Sequence, residues 1–161
     1  MFDLIEAMAK RHLNELIEKS IKVKFVGDRD LFPAHVIPAF DEVEAKTAHG
    51  SALQVNFLFC YDSQQEIVYA AKQIARKVKD GSLHENEINE SLLVQHMWTS
   101  DTPAPELVIR SGGSQRISNF LLFQSAYSEY YFTDQYWPAL TTDDFKKAFD
   151  FFNASKRNFG A

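Results

Sequence analysis

From Phe2 to Ser20 the apolar residues Leu4, Ile5, Met8, Leu13, Leu16 and Ile17 recur at helical spacing, with Lys10, Glu15, Glu18 and Lys19 on the other side. The pattern predicts an amphipathic helix packed against something. Residues 21–26, IKVKFV, then alternate apolar and polar before Gly27-Asp28, as a strand with one wetter face or an edge position does. A second helix is expected from His35 to Thr47, with Pro38 in its first turns. Residues 52–60, ALQVNFLFC, are apolar almost throughout, the pattern of a strand covered on both faces. A helix over 63–79, the turn Asp80-Gly81-Ser82 and a helix over 87–97 follow. Leu107-Val108-Ile109 reads as a short buried strand, residues 118–128 as a helix, Tyr130-Tyr131-Phe132-Thr133 as a strand, and a last helix opens at Thr141 or Thr142. Strands separated by helices predict an α/β fold with a mostly parallel sheet flanked by helices. No internal repeat, low-complexity tract or linker interrupts the chain, so a single domain over residues 1–161 is expected.

Composition narrows the function. With 161 residues, 45% of them apolar, the chain can close a core and is not a disordered tail. A net charge of −5 repels nucleic acid and leaves no polybasic patch for anionic lipid, so any anionic ligand must be held locally. The one cysteine, Cys60, cannot form an intramolecular disulfide and fits a reducing compartment. No apolar run approaches the ~18 residues of a spanning helix, and no secretory leader pattern is found, so a cytoplasmic protein is expected. The five histidines lack metal-ligand spacing and read as surface or packing residues. Phe57, Phe59, Phe120, Phe123, Trp137, Phe145, Phe149, Phe151 and Phe152 read mainly as core packing.

The sharpest constellation runs from Leu107 to Phe120, LVIRSGGSQRISNF. A buried strand emerges with Arg110 at its tip, Gly112-Gly113 allow close backbone approach, and Arg116 and Ser118 flank the expected start of a helix. Two guanidinium forks, a hydroxyl and a helix N-terminus suit a diphosphate. The same residues also admit a strand-end Arg paired with a carboxylate and a Gly-Gly that only makes a turn.

Residues 107–138, LVIRSGGSQRISNFLLFQSAYSEYYFTDQYWP, closely resemble the C-terminal signature of the cis-prenyltransferases, the isoprenyl transferase or undecaprenyl diphosphate synthase family. The resemblance extends upstream through residues 23–28 and 53–56 and downstream to residues 158–160. It implies a dimeric α/β enzyme that condenses an allylic diphosphate, such as farnesyl diphosphate, with isopentenyl diphosphate, assisted by magnesium. The new double bonds are cis, and the product is a polyprenyl diphosphate lipid carrier such as undecaprenyl diphosphate, used in cell-wall glycan synthesis. By position, Arg110, Arg116 and Ser118 match the residues that hold the diphosphate of isopentenyl diphosphate, and Glu129 matches the carboxylate associated with magnesium. Read without the resemblance, Glu129 is an exposed acid at a helix end.

The resemblance also implies features that these 161 residues lack. The family's N-terminal strand, its loop Met-Asp-Gly-Asn-Gly-Arg-Trp with the catalytic aspartate, and its Ser-x-Glu-Asn-Trp segment have no counterpart, so no catalytic residue is assigned and the chain is read as the C-terminal two-thirds of the fold. The family's Asn-Tyr-Gly-Gly reads Cys60-Tyr61-Asp62-Ser63, where Asp62 and Ser63 can cap the next helix. The Glu after Gly-Gly reads Ser114, and the terminal Arg-x-Gly reads Asn158-Phe159-Gly160, with Arg157 one place out of register. The expectation is a chain that carries the isopentenyl diphosphate half-site, exposes unpaired strand edges and is inactive alone. The alternative is a non-catalytic partner subunit of a heteromeric cis-prenyltransferase.

Overall fold

A computed structural model describes residues 2–155. The terminal Asn158-Phe159-Gly160, expected to stand in place of the family's Arg-x-Gly, lies outside them. The chain groups into two compact units, one up to Ser100 and one from Asp101 on.

In the first unit, α1 (Phe2–Glu18) leads into β1 (Ile21–Val26), α2 (Ile37–Thr47), β2 (Leu53–Leu58), α3 (Ser63–Lys79) and the short α4 (Glu90–Gln95). Pro38 falls at the second helical position of α2, where its missing N–H has no partner to lose. β1 and β2 pair in parallel, with Val23 opposite Val55 and Phe25 opposite Phe57. α1 and α2 both pack on β1, and their apolar stripes close a core of Leu13, Val23, Phe25, Phe32, Val36, Phe40 and Val43. Phe25 stacks on Phe40 with ring centroids 3.8 Å apart. Gly27 makes the turn out of β1 at φ 144°, and a Cβ there would lie 1.8 Å from the Phe59 carbonyl oxygen. No side chain fits.

Burial inverts the expectation for the two strands. β1, the alternating one, buries Val23, Phe25 and Val26, while β2, the nearly continuous apolar one, buries none of its residues and leaves Leu53 55% and Phe57 41% exposed. The helices cover the β1 side of the shared face, and among the described residues β2 has β1 as its one neighbour.

In the second unit, β3 (Leu107–Arg110) and β4 (Glu129–Phe132) pair in parallel, and α5 (Thr142–Ala154) follows. The expected helix over 118–128 is not formed. Ser118, Asn119 and Leu121 hold positive φ of 48°, 62° and 49°, which no right-handed helix accommodates, and the segment runs as successive turns. The helix expected over 87–97 is a 3₁₀ turn at Glu85–Glu87 followed by α4. No helix of the described residues is long and apolar enough to cross a membrane. The architecture is α/β with parallel strand pairs and flanking helices, as expected.

Candidate functional site

Arg110 is the last residue of β3, and its half-buried side chain turns toward the segment that follows. Its Nη1 donates to the main-chain carbonyl oxygen of Arg116 and to Ser118 Oγ, the latter at 3.0 Å. These two bonds explain why the chain after Arg116 does not wind into a helix. The carbonyl and hydroxyl that would begin one are held by a guanidinium, and Ser and Asn tolerate the left-handed turn this demands. Among the described residues, neither Arg110 nor Arg116 pairs with a carboxylate. The alternative of a strand-end ion pair is thereby removed.

The three residues border one cavity of about 340 Å³, lined by Val108, Arg110, Arg116, Ser118, Phe120 and Tyr130 among others. This lies within the range of small-molecule sites, roughly 300–1,000 Å³. Tyr130 and Phe132 supply apolar wall from β4, and the Tyr130 hydroxyl donates to Ser125 Oγ at 2.6 Å, fixing the turn segment against the strand. Arg116 is exposed at the rim.

Two expected contributions to anion binding are not made. With no helix beginning at Ser118, no helix dipole points at the cavity. The Gly112 and Gly113 amides donate to the Gln135 and Thr133 carbonyls at 2.8 and 3.0 Å, so they tie the end of β3 to the chain beyond β4. Their φ of 87° and 74° is what requires glycine, and the Gly-Gly is a turn.

Glu129 stands apart from this cluster. It opens β4 opposite Leu107, at the far end of the strand pair from Arg110, which lies opposite Phe132. Three residue steps separate these ends, about 10 Å. The carboxylate is half-buried in a strand, where a bare reading of the sequence has it at a helix end. Magnesium takes about six oxygen ligands. Glu129 offers one carboxylate and belongs to no cluster of potential ligands among the described residues, so these residues do not make a magnesium site by themselves. The group that does come together, Asp3, Glu6 and His35, is largely exposed, with Asp3 bonded to His35 and Glu6 to Lys10.

A second cavity of about 420 Å³ lies in the first unit at the carboxyl ends of β1 and β2, lined by Asp28, Asp62, Gln65, Tyr69, Lys72 and Trp98 among others. Parallel sheets place ligands there. Asp62 caps α3 by accepting the Gln65 amide at 2.9 Å, as expected. Glu66 escaped the sequence reading. Fully buried, it accepts from the Thr99 amide and hydroxyl on Oε1 and from the Tyr61 hydroxyl on Oε2. Its signal was present: Ser63, Glu66, Ala70 and Ile74 share one face of α3, and all are buried. Cys60 is partly buried and packs against the core cluster. Phe120, Trp137, Phe149 and Phe151 join Phe57 as exposed aromatics, which corrects the expectation that they pack in the core.

Residues 1–160 match the family model described as "Putative undecaprenyl diphosphate synthase". The chain is 40% identical over 160 residues to an isoprenyl transferase of Bacillus subtilis, covering 99% of this chain and 62% of that protein. A Prochlorococcus marinus isoprenyl transferase is 39% identical, with 59% of its length covered. The chain thus spans about three-fifths of the length of these relatives. Among solved structures, lavandulyl diphosphate synthase from Lavandula x intermedia, in complex with dimethylallyl diphosphate, superposes with a TM-score of 0.94 at 29% identity, over 99% of this chain and 70% of that one. A probable undecaprenyl diphosphate synthase from Campylobacter jejuni gives 0.84 at 33% identity, over 99% and 73%. The family-model match over residues 1–160, with the parallel α/β architecture superposing over 99% of the chain, shows that this chain belongs to the cis-prenyltransferase family of undecaprenyl diphosphate synthases.

Proposed function

We propose that the β3 tip and the turn after it hold the diphosphate of isopentenyl diphosphate in a cis-prenyltransferase. That enzyme joins isopentenyl diphosphate to an allylic diphosphate, farnesyl diphosphate or a similar one, and builds a polyprenyl diphosphate lipid carrier such as undecaprenyl diphosphate. The observation that carries the reading is Arg110: half-buried, without a carboxylate partner among the described residues and oriented by Ser118 Oγ beside an apolar-walled cavity. In a chain of net charge −5, a cation so placed has its charge left for a ligand. A diphosphate would meet the Arg110 and Arg116 guanidinium groups, and Ser118, while accepting from Arg110, can donate its own O–H to a phosphate oxygen. The apolar walls would take the isopentenyl tail. Held there, the homoallylic double bond is positioned for attack on the allylic carbon. A carbon–carbon bond forms, the allylic diphosphate leaves with its electron pair, and a proton departs from the isopentenyl unit.

Glu129 enters as one oxygen ligand among several for Mg2+, with phosphate oxygens and water supplying others, and no step above depends on it. A homodimer in the cytoplasm completes the proposal on the strength of the resemblance.

The test is calorimetric titration of isopentenyl diphosphate into wild type and variants. Loss of one charge-assisted bond costs about 1.5–3 kcal/mol, so Arg110→Ala should weaken binding roughly ten- to a hundredfold. Ser118→Ala should weaken it less. Binding unchanged in Arg110→Ala would remove the proposal.

A further inference from the structure

The turn segment between Arg116 and Glu129 is held at two places. At its start, Arg110 Nη1 donates to the Arg116 carbonyl oxygen and to Ser118 Oγ. Farther along, two hydroxyls act in relay: Tyr130 donates to Ser125 Oγ, and the Ser125 hydroxyl donates to the Leu121 carbonyl oxygen, each at 2.6 Å. The Ser125 amide donates to that same carbonyl at 2.9 Å. Leu121 needs such fastening, because its φ of 49° is a left-handed conformation that a leucine keeps only where its surroundings impose it. Ser125 is 2% exposed, so protein groups rather than solvent must satisfy its hydroxyl. In the parallel register Tyr130 stands opposite Val108 and Phe132 opposite Arg110. These four side chains share one face of the strand pair, and all four line the cavity. The group that fastens the turn therefore belongs to the cavity wall itself.

We propose that the Tyr130 hydroxyl is a positioning group for the diphosphate site: through Ser125 and Leu121 it holds the 118–121 turn in the shape that keeps Ser118 Oγ beside Arg110. The proposal rests on the diphosphate reading and adds to it a residue that does not touch the diphosphate. The positive φ of Ser118, Asn119 and Leu121 breaks the helical ladder that would otherwise fix Ser118 in place, and the two clamps take its part. Arg110 alone cannot serve both purposes. A diphosphate competes for the guanidinium donors and loosens their grip on Ser118 at the moment the serine is needed. The second clamp is independent of Arg110, so it keeps the Ser118 hydroxyl where it can donate to a phosphate oxygen, without a fresh ordering cost on binding. The Tyr130 hydroxyl has one proton and gives it to Ser125, so this group acts through the turn, while its ring supplies apolar wall.

The test is calorimetric titration of isopentenyl diphosphate into the 161-residue chain and its variants, with amide hydrogen exchange on the same samples. Tyr130→Phe keeps the ring and removes the clamp. It should weaken binding roughly two- to tenfold, as loss of one uncharged hydrogen bond does, and by no more than Ser118→Ala. Ser125→Ala, which removes the acceptor, should match it. Because Tyr130 acts through Ser118, the double variant Tyr130→Phe/Ser118→Ala should bind no worse than Ser118→Ala alone, a coupling that general destabilisation does not produce. Exchange at the Ser125 amide should quicken in Tyr130→Phe while exchange in α2 stays as in wild type. Additive losses in the double variant, wild-type binding by Tyr130→Phe, or unchanged Ser125 exchange would overturn the inference. Arg110→Ala separates the two claims. If it binds as wild type, the diphosphate reading falls and this inference with it; if it binds weakly while Tyr130→Phe binds as wild type, only this inference falls.

Discussion

Glu66 is a fully buried carboxylate whose oxygens accept the Thr99 amide, the Thr99 hydroxyl and the Tyr61 hydroxyl. Removing the acceptor leaves those donors buried without it, at a cost of about 1–3 kcal/mol each for unsatisfied groups. Glu66→Ala should therefore lower unfolding stability by roughly 3 kcal/mol or more, and Glu66→Gln, which keeps one acceptor oxygen, by less. Urea denaturation reads both, and equal stability of the three proteins would show that the buried carboxylate ties nothing together. This residue and Arg110 differ in legibility. Arg110 stood at a strand tip before Gly-Gly, within a dense family signature, so its position was readable. Glu66 looked like any exposed helix acid until its spacing with Ser63, Ala70 and Ile74 was set against burial.

Elements were legible where local pattern and tertiary contact agree. The helices α1, α3 and α5 form over the segments read as helical; in α1 Leu13 is buried while Leu4, Met8 and Ile17 of its apolar stripe stay exposed, and α3 and α5 open on caps at Asp62 and Thr141. The segment 118–128 carries a helical pattern too, yet Arg110 takes the Arg116 carbonyl and the Ser118 hydroxyl, and a tertiary bond outweighs a local preference. Helix α5 opens with a cap in which the Thr141 hydroxyl and amide both donate to Asp144 Oδ2. Those bonds, with Lys147 beside them, hold the Asp144 carboxyl below the usual aspartate range. Since its folded pKa is depressed, the cap's contribution is complete above the unfolded value of about 3.9 and is lost as pH falls through the folded value. Acid titration should fray α5 only below that range. In Thr141→Ala, which removes the leading donor, the fraying midpoint should rise toward the ordinary aspartate value; an unmoved midpoint would contradict the cap.

At the scale of the molecule, sequence pattern conveyed the α/β class but not which strand is covered. β2 reads as a doubly covered strand, and its composition suits one; among the described residues a single neighbouring strand leaves it half exposed, while the wetter-looking β1 is sealed by two helices and by Thr47 and Glu44. The 161 residues contain no Met-Asp-Gly-Asn-Gly-Arg-Trp loop. The isolated chain should accordingly bind isopentenyl diphosphate without lengthening a prenyl chain, as read by incorporation of labelled isopentenyl diphosphate into organic-extractable product. Magnesium-dependent elongation by the chain alone would refute this.

The central claim is that isopentenyl diphosphate binds at the tip of β3. Following amide chemical shifts during its titration into the 161-residue chain tests this most directly. The account predicts saturable shifts confined to residues 108–120 and 130–133, around Arg110, Arg116 and Ser118. Saturable shifts centred instead on Asp28, Asp62 and Lys72 at the other cavity, or no saturable shift at all, would contradict it.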